Sequence, residues 1–153
     1  MVYGGGMLGL IPLIRRVRHG MTLGVRVMAE DDAGRLLLVR HSYLPGWHFP
    51  GGGVDFGETA AEAARRELKE EANVDTEAPL AMAGVFFNPR VGGRDHVVLF
   101  CAGRLVIGPR PARNLEIVAA EFFAPDALPE DVTPATLRRL AERQGRAPVS
   151  DMW

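Results

Sequence analysis

Three glutamates stand close together in the sequence and have the spacing of a cation site. Glu67, Glu70 and Glu71 occupy positions i, i+3 and i+4, which places their carboxylates on one side of a helix. Glu67 and Glu71 repel each other at this spacing, and either arginines or a hard cation with oxygen ligands would relieve the repulsion. Mg²⁺ is typically held by a few carboxylates together with substrate phosphates and water. The spacing alone is also typical of a solvated acidic helix face, in which Arg66 and Glu70 form an ordinary ion pair.

The segment that carries these glutamates has the strongest helix signals in the chain. Thr59 is suited to an N-cap, and Glu62 completes a capping box. Residues 60–72 are rich in strong helix formers, and Asn73 is suited to a left-handed stop. We expect one face of the helix to pack on a sheet through small and apolar side chains, namely Ala61, Ala64, Leu68 and Ala72.

Apolar runs on both sides of this helix predict five strands. The runs cover residues 23–28, 35–40, 80–88, 96–106 and 116–123. A turn signal over residues 30–34 predicts that the first two strands form a hairpin. Thr133 and Pro134 begin a last helix that runs through Glu142. Strands around one helix, with a second helix at the end, predict an α/β fold with a mixed sheet between helices.

Composition places the chain among ordinary globular proteins. Its 153 residues, 47% hydrophobic and 24% charged, suit one domain with a real core. A net charge of −1 argues against binding a large nucleic acid by bulk charge. The single cysteine, Cys101, excludes an internal disulfide and favours a reducing, cytoplasmic compartment. No segment has the ~20 apolar residues of a membrane helix. We divide the chain into an N-terminal extension, residues 1–20, and a single domain, residues 21–153.

A longer pattern surrounds the glutamates. Pro50 to Val74 reads PGGGVDFGETAAEAARRELKEEANV, and from Gly52 onwards it fits G-x5-E-x7-R-E-U-x-E-E-x-G-U, where U is aliphatic, at all but one fixed position. This segment resembles the Nudix box of Nudix hydrolases, which cleave the pyrophosphate linkage of nucleoside diphosphate derivatives with Mg²⁺ or Mn²⁺. The exception is Asn73, where the family usually has glycine. Asparagine tolerates a left-handed conformation, so we expect the helix to end there all the same.

The resemblance covers most of residues 21–142 and implies a Nudix-like α/β/α sandwich with a mixed, curved sheet. It also implies a metal site. Glu67, Glu70 and Glu71 would hold the metal, and Glu58 would be a further ligand, often through water, or a partner of Arg66. Arg66 would orient the carboxylates by ion pairing, so it joins the three helix glutamates in the catalytic group.

The chemistry implied by the resemblance is attack of water on phosphorus, with a carboxylate taking the proton. Which carboxylate acts as the base stays open between Glu71, Glu116 and Glu121. Gly52 and Gly53 would let the loop pass close to metal and phosphates. Recognition of the rest of the substrate should come from aromatic and polar residues outside the box. The candidates for this role are Phe87, Arg90, Trp47 and Glu116.

The expected function is therefore metal-dependent hydrolysis of a pyrophosphate bond in a nucleoside diphosphate derivative. ADP-ribose-like substrates come first, because Pro89 lies sixteen residues after Asn73, near the offset of a proline in the ADP-ribose-hydrolysing branch of the family. A (deoxy)nucleoside triphosphate pyrophosphohydrolase and a nucleotide-sensing domain without catalysis are the alternatives. The expected partner is a small nucleotide and not a membrane, and a homodimer is left open.

Overall fold

A computed structural model of the chain describes residues 20–109 and 115–153. The predicted N-terminal extension lies outside the described residues, apart from Gly20. The elements in these ranges are, in chain order, β1 Thr22–Met28, β2 Leu36–His41, α1 Ala60–Ala72, β3 Val74–Thr76, β4 Ala81–Asn88, β5 Asp95–Cys101, β6 Leu105–Ile107, β7 Ile117–Phe123 and α2 Pro134–Arg143. None of the helices in these ranges is long and apolar enough to cross a membrane.

The described strands form three ladders. β1 pairs in parallel with β5, and β5 pairs antiparallel with β4, which gives a mixed sheet of order β1-β5-β4. β2 pairs antiparallel with β7, and β3 with β6. The predicted hairpin is present only at its turn, where Glu30 and Leu36 form an antiparallel bridge and the Leu37 N–H donates to the Ala29 carbonyl at 2.9 Å. The predicted pairing of β1 with β2 is wrong. The local turn signal carries no information about β5 and β7, the distant strands with which β1 and β2 build their ladders.

The strands are buried on both faces, one face under each helix. On the α1 side, buried side chains include Val25, Val27, Leu37, Val98, Phe100 and Leu68 of the helix itself. On the other side, they include Met28, Leu36, Leu38, Leu99 and Leu140 of α2. Because successive side chains of a strand point to opposite faces, each central strand contributes to both clusters. The predicted α/β architecture, with strands between two helices, is confirmed.

Helix α1 begins and ends where the sequence predicts. The Thr59 hydroxyl accepts a hydrogen bond from the Glu62 backbone N–H at 3.2 Å, and the Glu62 carboxylate accepts one from the Thr59 N–H at 2.7 Å. Asn73 ends the helix at φ 52°, in the left-handed region that asparagine tolerates. These local capping signals explain why the prediction of this element succeeded.

The buried face of α1 differs in part from the predicted one. Ala61 is exposed, whereas Ala63 is buried. Glu71 is also buried on this face, one turn beyond Leu68 and close to the Ala64 row of the helix. Glu71 therefore lies in the protein interior, whereas Glu70, the residue before it, is exposed.

Candidate active site

The carboxylate of Glu71 lies under the glycine-rich loop formed by residues 51–53. Its side chain is only 4% exposed, and its Oε2 accepts a hydrogen bond from the Gly51 backbone N–H at 2.8 Å. Its Oε1 lies 3.2 Å from Nε2 of His41. Burial raises the pKa of Glu71 to about 8, against the opposing effect of the Gly51 hydrogen bond. In this environment the carboxyl group is either protonated or paired with a bound cation.

His41, at the end of β2, is buried beside Glu71. Burial lowers the pKa of its imidazole, and the nearby Arg26 acts in the same direction. Neither ring nitrogen has a well-aligned hydrogen bond. The imidazole is therefore a neutral neighbour of Glu71 at neutral pH, with no charge to compensate the carboxylate.

Arg66 gathers the other carboxylates of the site. Its Nη2 lies 2.7 Å from Oε1 of Glu58, and its Nη1 lies 2.7 Å from Oε1 of Glu67 and 3.3 Å from Oε2 of Glu70. Nη2 also donates a hydrogen bond to the Gly53 carbonyl at 3.1 Å. Hydrogen bonds to Glu58 and Glu67 hold the pKa of Arg66 above its usual range. One guanidinium thus connects the helix to the loop and neutralises part of the acidic cluster.

The loop fits between strand β1 and helix α1 because Gly51 and Gly52 have no side chains. A Cβ at Gly51 would overlap the carbonyl oxygen of Val25, and the φ of Gly51 is 143°. A Cβ at Gly52 would lie 2.5 Å from Oε1 of Glu67. The Val25 N–H also donates to the Gly52 carbonyl at 2.8 Å. Strand β1 on one side and helix α1 on the other therefore fix the path of the loop.

Arg26 of β1 is a functional candidate that the sequence analysis missed. Its Nη1 donates hydrogen bonds to the carbonyl oxygens of Phe49 at 3.1 Å and Gly51 at 2.5 Å. Burial lowers the pKa of Arg26, and the nearby carboxylates of Glu71 and Glu67 oppose that shift. The available signal was a lone arginine inside an otherwise apolar strand, which often marks a buried charge with a partner.

The donor set of α1 suits a hard divalent cation. Three carboxylates within two helical turns offer oxygen ligands of the kind that Mg²⁺ prefers, and the buried Glu71 lacks a charged partner in hydrogen-bonding contact. Within the described residues, no group of three or more His, Cys, Asp or Glu side chains is gathered as a metal site. Arg66 lies between Glu67 and Glu70 instead. The residues fit a cation in chemistry, because Arg66 contacts only Oε1 of Glu67 and Oε2 of Glu70 and the other oxygen of each carboxylate would bind the cation.

A cavity of about 470 Å³ opens beside the loop. Its volume lies in the range of small-molecule sites. Two arginines, Arg26 and Arg90, and one acid, Asp95, line it together with polar and small residues that include Gly52, Gly53, His48, Asn88 and Thr133. Asp95 accepts hydrogen bonds from Thr22 and Asn88, and the two guanidinium groups leave the lining with a net positive charge, which suits a phosphorylated ligand.

Comparisons with known proteins agree with this geometry. The family profile described as NUDIX domain matches residues 20–144. The chain belongs to the NUDIX family. It is 32% identical to the putative 8-oxo-dGTP diphosphatase of Bacillus subtilis (strain 168) over 119 residues, which are 78% of this chain and 77% of the relative. With this membership the chain is an enzyme, a Nudix hydrolase.

Two solved structures resemble the fold. The MutT NUDIX hydrolase from Burkholderia pseudomallei has a TM-score of 0.67 and 29% identity, and the match covers 80% of this chain and 96% of that protein. An ADP-ribose pyrophosphatase from Streptococcus suis 89-1591 has a TM-score of 0.58 and 25% identity, over 86% and 96% of the two chains. The two relatives carry different activities in their names, so the fold shared with them leaves the substrate of this Nudix hydrolase open.

The structure does not bring every predicted substrate residue to the cavity of this Nudix hydrolase. Trp47 is 7% exposed and packs edge-on against Phe123 of β7, with ring centroids 4.9 Å apart. The sequence placed Trp47 next to the glycines, but the core contact comes from a strand far along the chain. Gly52, Gly53 and Arg90, in contrast, do line the cavity.

Phe87 and Glu116 lie outside the lining of the cavity. Phe87 packs against His96, with ring centroids 5.4 Å apart. Glu116 is exposed just before β7, and its Oε1 accepts a hydrogen bond from the Tyr43 hydroxyl at 2.9 Å. The Tyr43 ring lies 5.2 Å from that of His41, so Glu116 stands near the Glu71 side of the site.

Proposed function

We propose that this Nudix hydrolase cleaves a pyrophosphate bond in a nucleoside diphosphate derivative with the help of Mg²⁺ or Mn²⁺. The observation that carries the proposal is the position of Glu67, Glu70 and Glu71. Glu67 and Glu71 contact the glycine loop, Glu70 is joined to it through Arg66, and the loop borders a cavity whose lining includes Arg26 and Arg90. Carboxylates on one side and guanidinium groups on the other are what a cation and a polyphosphate need together.

In this proposal Glu67, Glu70 and Glu71 hold the cation, and Glu58 is either a further ligand, through water, or only the ion-pair partner of Arg66, as at 2.7 Å here. A bound divalent cation supplies charge neutralisation at the phosphates and acidifies the attacking water. Arg66 orients Glu67 and Glu70 through its ion pairs at 2.7 and 3.3 Å. Arg26 holds the loop from behind through the Gly51 carbonyl. Glu67, Glu70, Glu71 and Arg66 form the catalytic group in this proposal, and Arg26 is added to it as a positioning residue.

The reaction is a hydrolysis, and its atoms balance with water alone. The water oxygen forms a bond to one phosphorus, and the bond from that phosphorus to the bridging oxygen breaks. A carboxylate, that of Glu71, Glu116 or Glu121, accepts a proton of the water. The bridging oxygen leaves on the second phosphate. One product is a nucleoside 5′-monophosphate for ADP-ribose, and also for a triphosphate that is cleaved between its α and β phosphates.

Two substrate classes have separate support. The Bacillus subtilis relative, whose name describes an 8-oxo-dGTP diphosphatase, favours nucleoside triphosphates, because the similarity runs over 78% of this chain. Pro89 and the likeness to the Streptococcus suis ADP-ribose pyrophosphatase favour ADP-ribose-like compounds. Similarity to the Bacillus subtilis relative over most of the chain is stronger support than a single proline. We therefore propose triphosphates as the first substrate class and ADP-ribose as the second.

Hydrolysis of a substrate panel separates these classes and the alternative of a nucleotide sensor. The panel contains ADP-ribose, NADH, nucleotide sugars, diadenosine polyphosphates, the common triphosphates and 8-oxo-dGTP, each with Mg²⁺, Mn²⁺ or chelator. Pyrophosphate as second product identifies the triphosphate class, and ribose 5-phosphate identifies the ADP-ribose class. Binding of nucleotides without cleavage of any compound would overturn the proposal in favour of a sensor.

A further inference from the structure

The cavity beside the acidic cluster contains a tryptophan from the far end of the described chain. Trp153 supplies the only phenyl, phenol or indole ring among the described residues that line this cavity. The residue is partly buried, and Arg139 of α2 also lies near its ring, with Cζ 5.9 Å from the ring centroid. Asn88 and Arg90, at the end of β4, line the same cavity.

The backbone around Trp153 is held in place by the sheet. The Trp153 N–H donates a hydrogen bond to the Phe87 carbonyl at 2.8 Å, and the Phe87 N–H donates to the Asp151 carbonyl at 2.8 Å. Arg138 of α2 donates through Nη2 to the Trp153 carbonyl at 2.6 Å. The residues before Trp153 therefore run alongside the end of β4, and the indole has a fixed position before any ligand arrives.

One part of the indole is supported by the core. It packs against Phe86 with ring centroids 5.8 Å apart and an angle of 56° between the ring planes. Trp153 also packs against the apolar cluster beneath α2. A rigid aromatic ring with apolar support on one side and a cavity on the other is the usual platform for a nucleobase.

We propose that the base of the nucleotide stacks on Trp153. The inference rests on the proposed function, because that function supplies the nucleotide. It assigns to Trp153 the role that the sequence suggested for Trp47 and Phe87, neither of which lines the cavity. The phosphates then extend from the base towards Gly52 and Gly53, which line the same cavity next to the glutamates.

Intrinsic fluorescence tests the stacking directly, because the chain has two tryptophans. The probes are AMP, GMP, CMP and UMP, which contain no pyrophosphate bond and are therefore not hydrolysed. In the Trp47→Phe variant, in which Trp153 is the only emitter, we expect at least one of them to quench the emission. In Trp153→Phe, in which Trp47 remains, we expect no quenching. If Trp47→Phe does not fold, the difference between wild type and Trp153→Phe gives the same information.

Affinity separates stacking from a purely structural role. Trp153→Ala should weaken binding of the best monophosphate by about 5- to 100-fold, the usual effect of removing one base-stacking ring. Trp153→Phe should retain most of the affinity, because a phenyl ring also stacks. Ribose 5-phosphate has no base, so its affinity should be the same in wild type and Trp153→Ala. Equal losses for both ligands, or quenching of Trp47 alone, would overturn the proposal.

The outcomes for the stacking and for the proposed function are distinguishable. If no panel compound is hydrolysed and a monophosphate still quenches Trp153, the stacking stands and the proposed function fails. If hydrolysis proceeds and Trp153→Ala has the wild-type kcat/KM, the function stands and the stacking fails. If none of the four monophosphates quenches Trp153, the stacking is overturned whatever the result of the panel.

Discussion

The carboxylate of Glu67 lies against the backbone of Gly52, at the place where a side chain would begin. A Cβ at position 52 would stand 2.5 Å from Oε1 and 2.7 Å from Cδ of Glu67. A Cβ at Gly103, between β5 and β6, would meet no atom within 4 Å. The acidic helix and the loop therefore approach each other through Gly52, and Gly103 is the control position.

Gly52→Ala should displace the Glu67 carboxylate and lower kcat/KM by about 10-fold or more, since small misplacements in an active site are costly. The melting temperature should change little, because the displaced atoms are the end of a flexible side chain. Gly103→Ala should retain activity. Steady-state kinetics on the best panel substrate and thermal unfolding measure both effects. Equal activity in the two variants would show that the contact with Glu67 does not matter for the reaction.

The buried carboxylate of Glu71 predicts a dependence of stability on pH in the presence of chelator. Its pKa rises from 4.5 to about 8 on folding, so the folded protein holds a proton that the unfolded chain releases between these values. The free energy of unfolding contributed by this group therefore falls as pH rises through that window, and levels off above it. Glu71→Gln cannot titrate, so its stability should fall less over the same range.

Urea unfolding of wild type and Glu71→Gln between pH 5 and pH 8 measures this difference. Glu77→Gln is the matched control, because Glu77 is exposed in the loop after β3. The stability of Glu71→Gln relative to wild type should rise with pH, whereas that of Glu77→Gln should stay constant. Parallel curves for all three proteins would contradict the buried, protonated state of Glu71.

Asn73 replaces the usual glycine of the box and gains a contact by doing so. Its Nδ2 donates a hydrogen bond to the Pro109 carbonyl at 2.8 Å, and its φ is 52°. Asn73→Gly removes the hydrogen bond, at a cost of about 1 kcal/mol, and keeps the conformation. Asn73→Ala removes it too and adds about 1–2 kcal/mol of left-handed strain. In denaturant unfolding, Asn73→Ala should be less stable than Asn73→Gly. The reverse order would contradict the left-handed strain proposed at position 73.

The hydrogen bond from Tyr43 to Glu116 links a second carboxylate to the site. Burial and this hydrogen bond raise the pKa of Tyr43 to about 12, so the hydroxyl remains a donor at neutral pH. If Glu116 is the base, Tyr43→Phe should lower kcat by about 2- to 10-fold and Glu116→Gln by about 100-fold or more. Glu121→Gln, on β7, tests the third candidate base in the same way, and Glu77→Gln is the control, because Glu77 is exposed in the loop after β3. Wild-type kcat in both Glu116→Gln and Glu121→Gln would leave Glu71 as the base.

Local signals in the sequence were sufficient for helix α1 and its box. The capping residues Thr59 and Glu62 and the stop at Asn73 act within a few residues, so the sequence predicts both ends of the helix. Strand pairing depends on distant residues, and the parallel partner of β1 lies about seventy residues away, as in the pairing of Thr22 with Asp95. The predicted pairing of β1 with β2 failed for that reason.

The residues of the cavity could not be predicted from local sequence for the same reason. Trp47 stands beside the glycines in sequence, but Phe123 from β7 covers it. Trp153 is a hundred residues from the loop and reaches the cavity because its backbone pairs with Phe87. Arg26 is hidden in an apolar strand, and its hydrogen bonds to the loop appear only once the fold is known. The residue types and their spacing were sufficient to predict the acidic cluster. The other site residues are brought together only by tertiary packing.

The central claim is that the α1 carboxylates bind a divalent cation that the hydrolysis requires. The most direct test is the rate on the best panel substrate, with Mg²⁺ and with chelator, for wild type, Glu70→Gln and Glu77→Gln. Glu70 is largely exposed, with 61% side-chain accessibility, so its variant should fold. We predict that chelator abolishes wild-type hydrolysis, that added Mg²⁺ restores it, and that Glu70→Gln is slower by about 100-fold or more while Glu77→Gln is unaffected. A wild-type rate that is unchanged in chelator, or in Glu70→Gln, would contradict the claim.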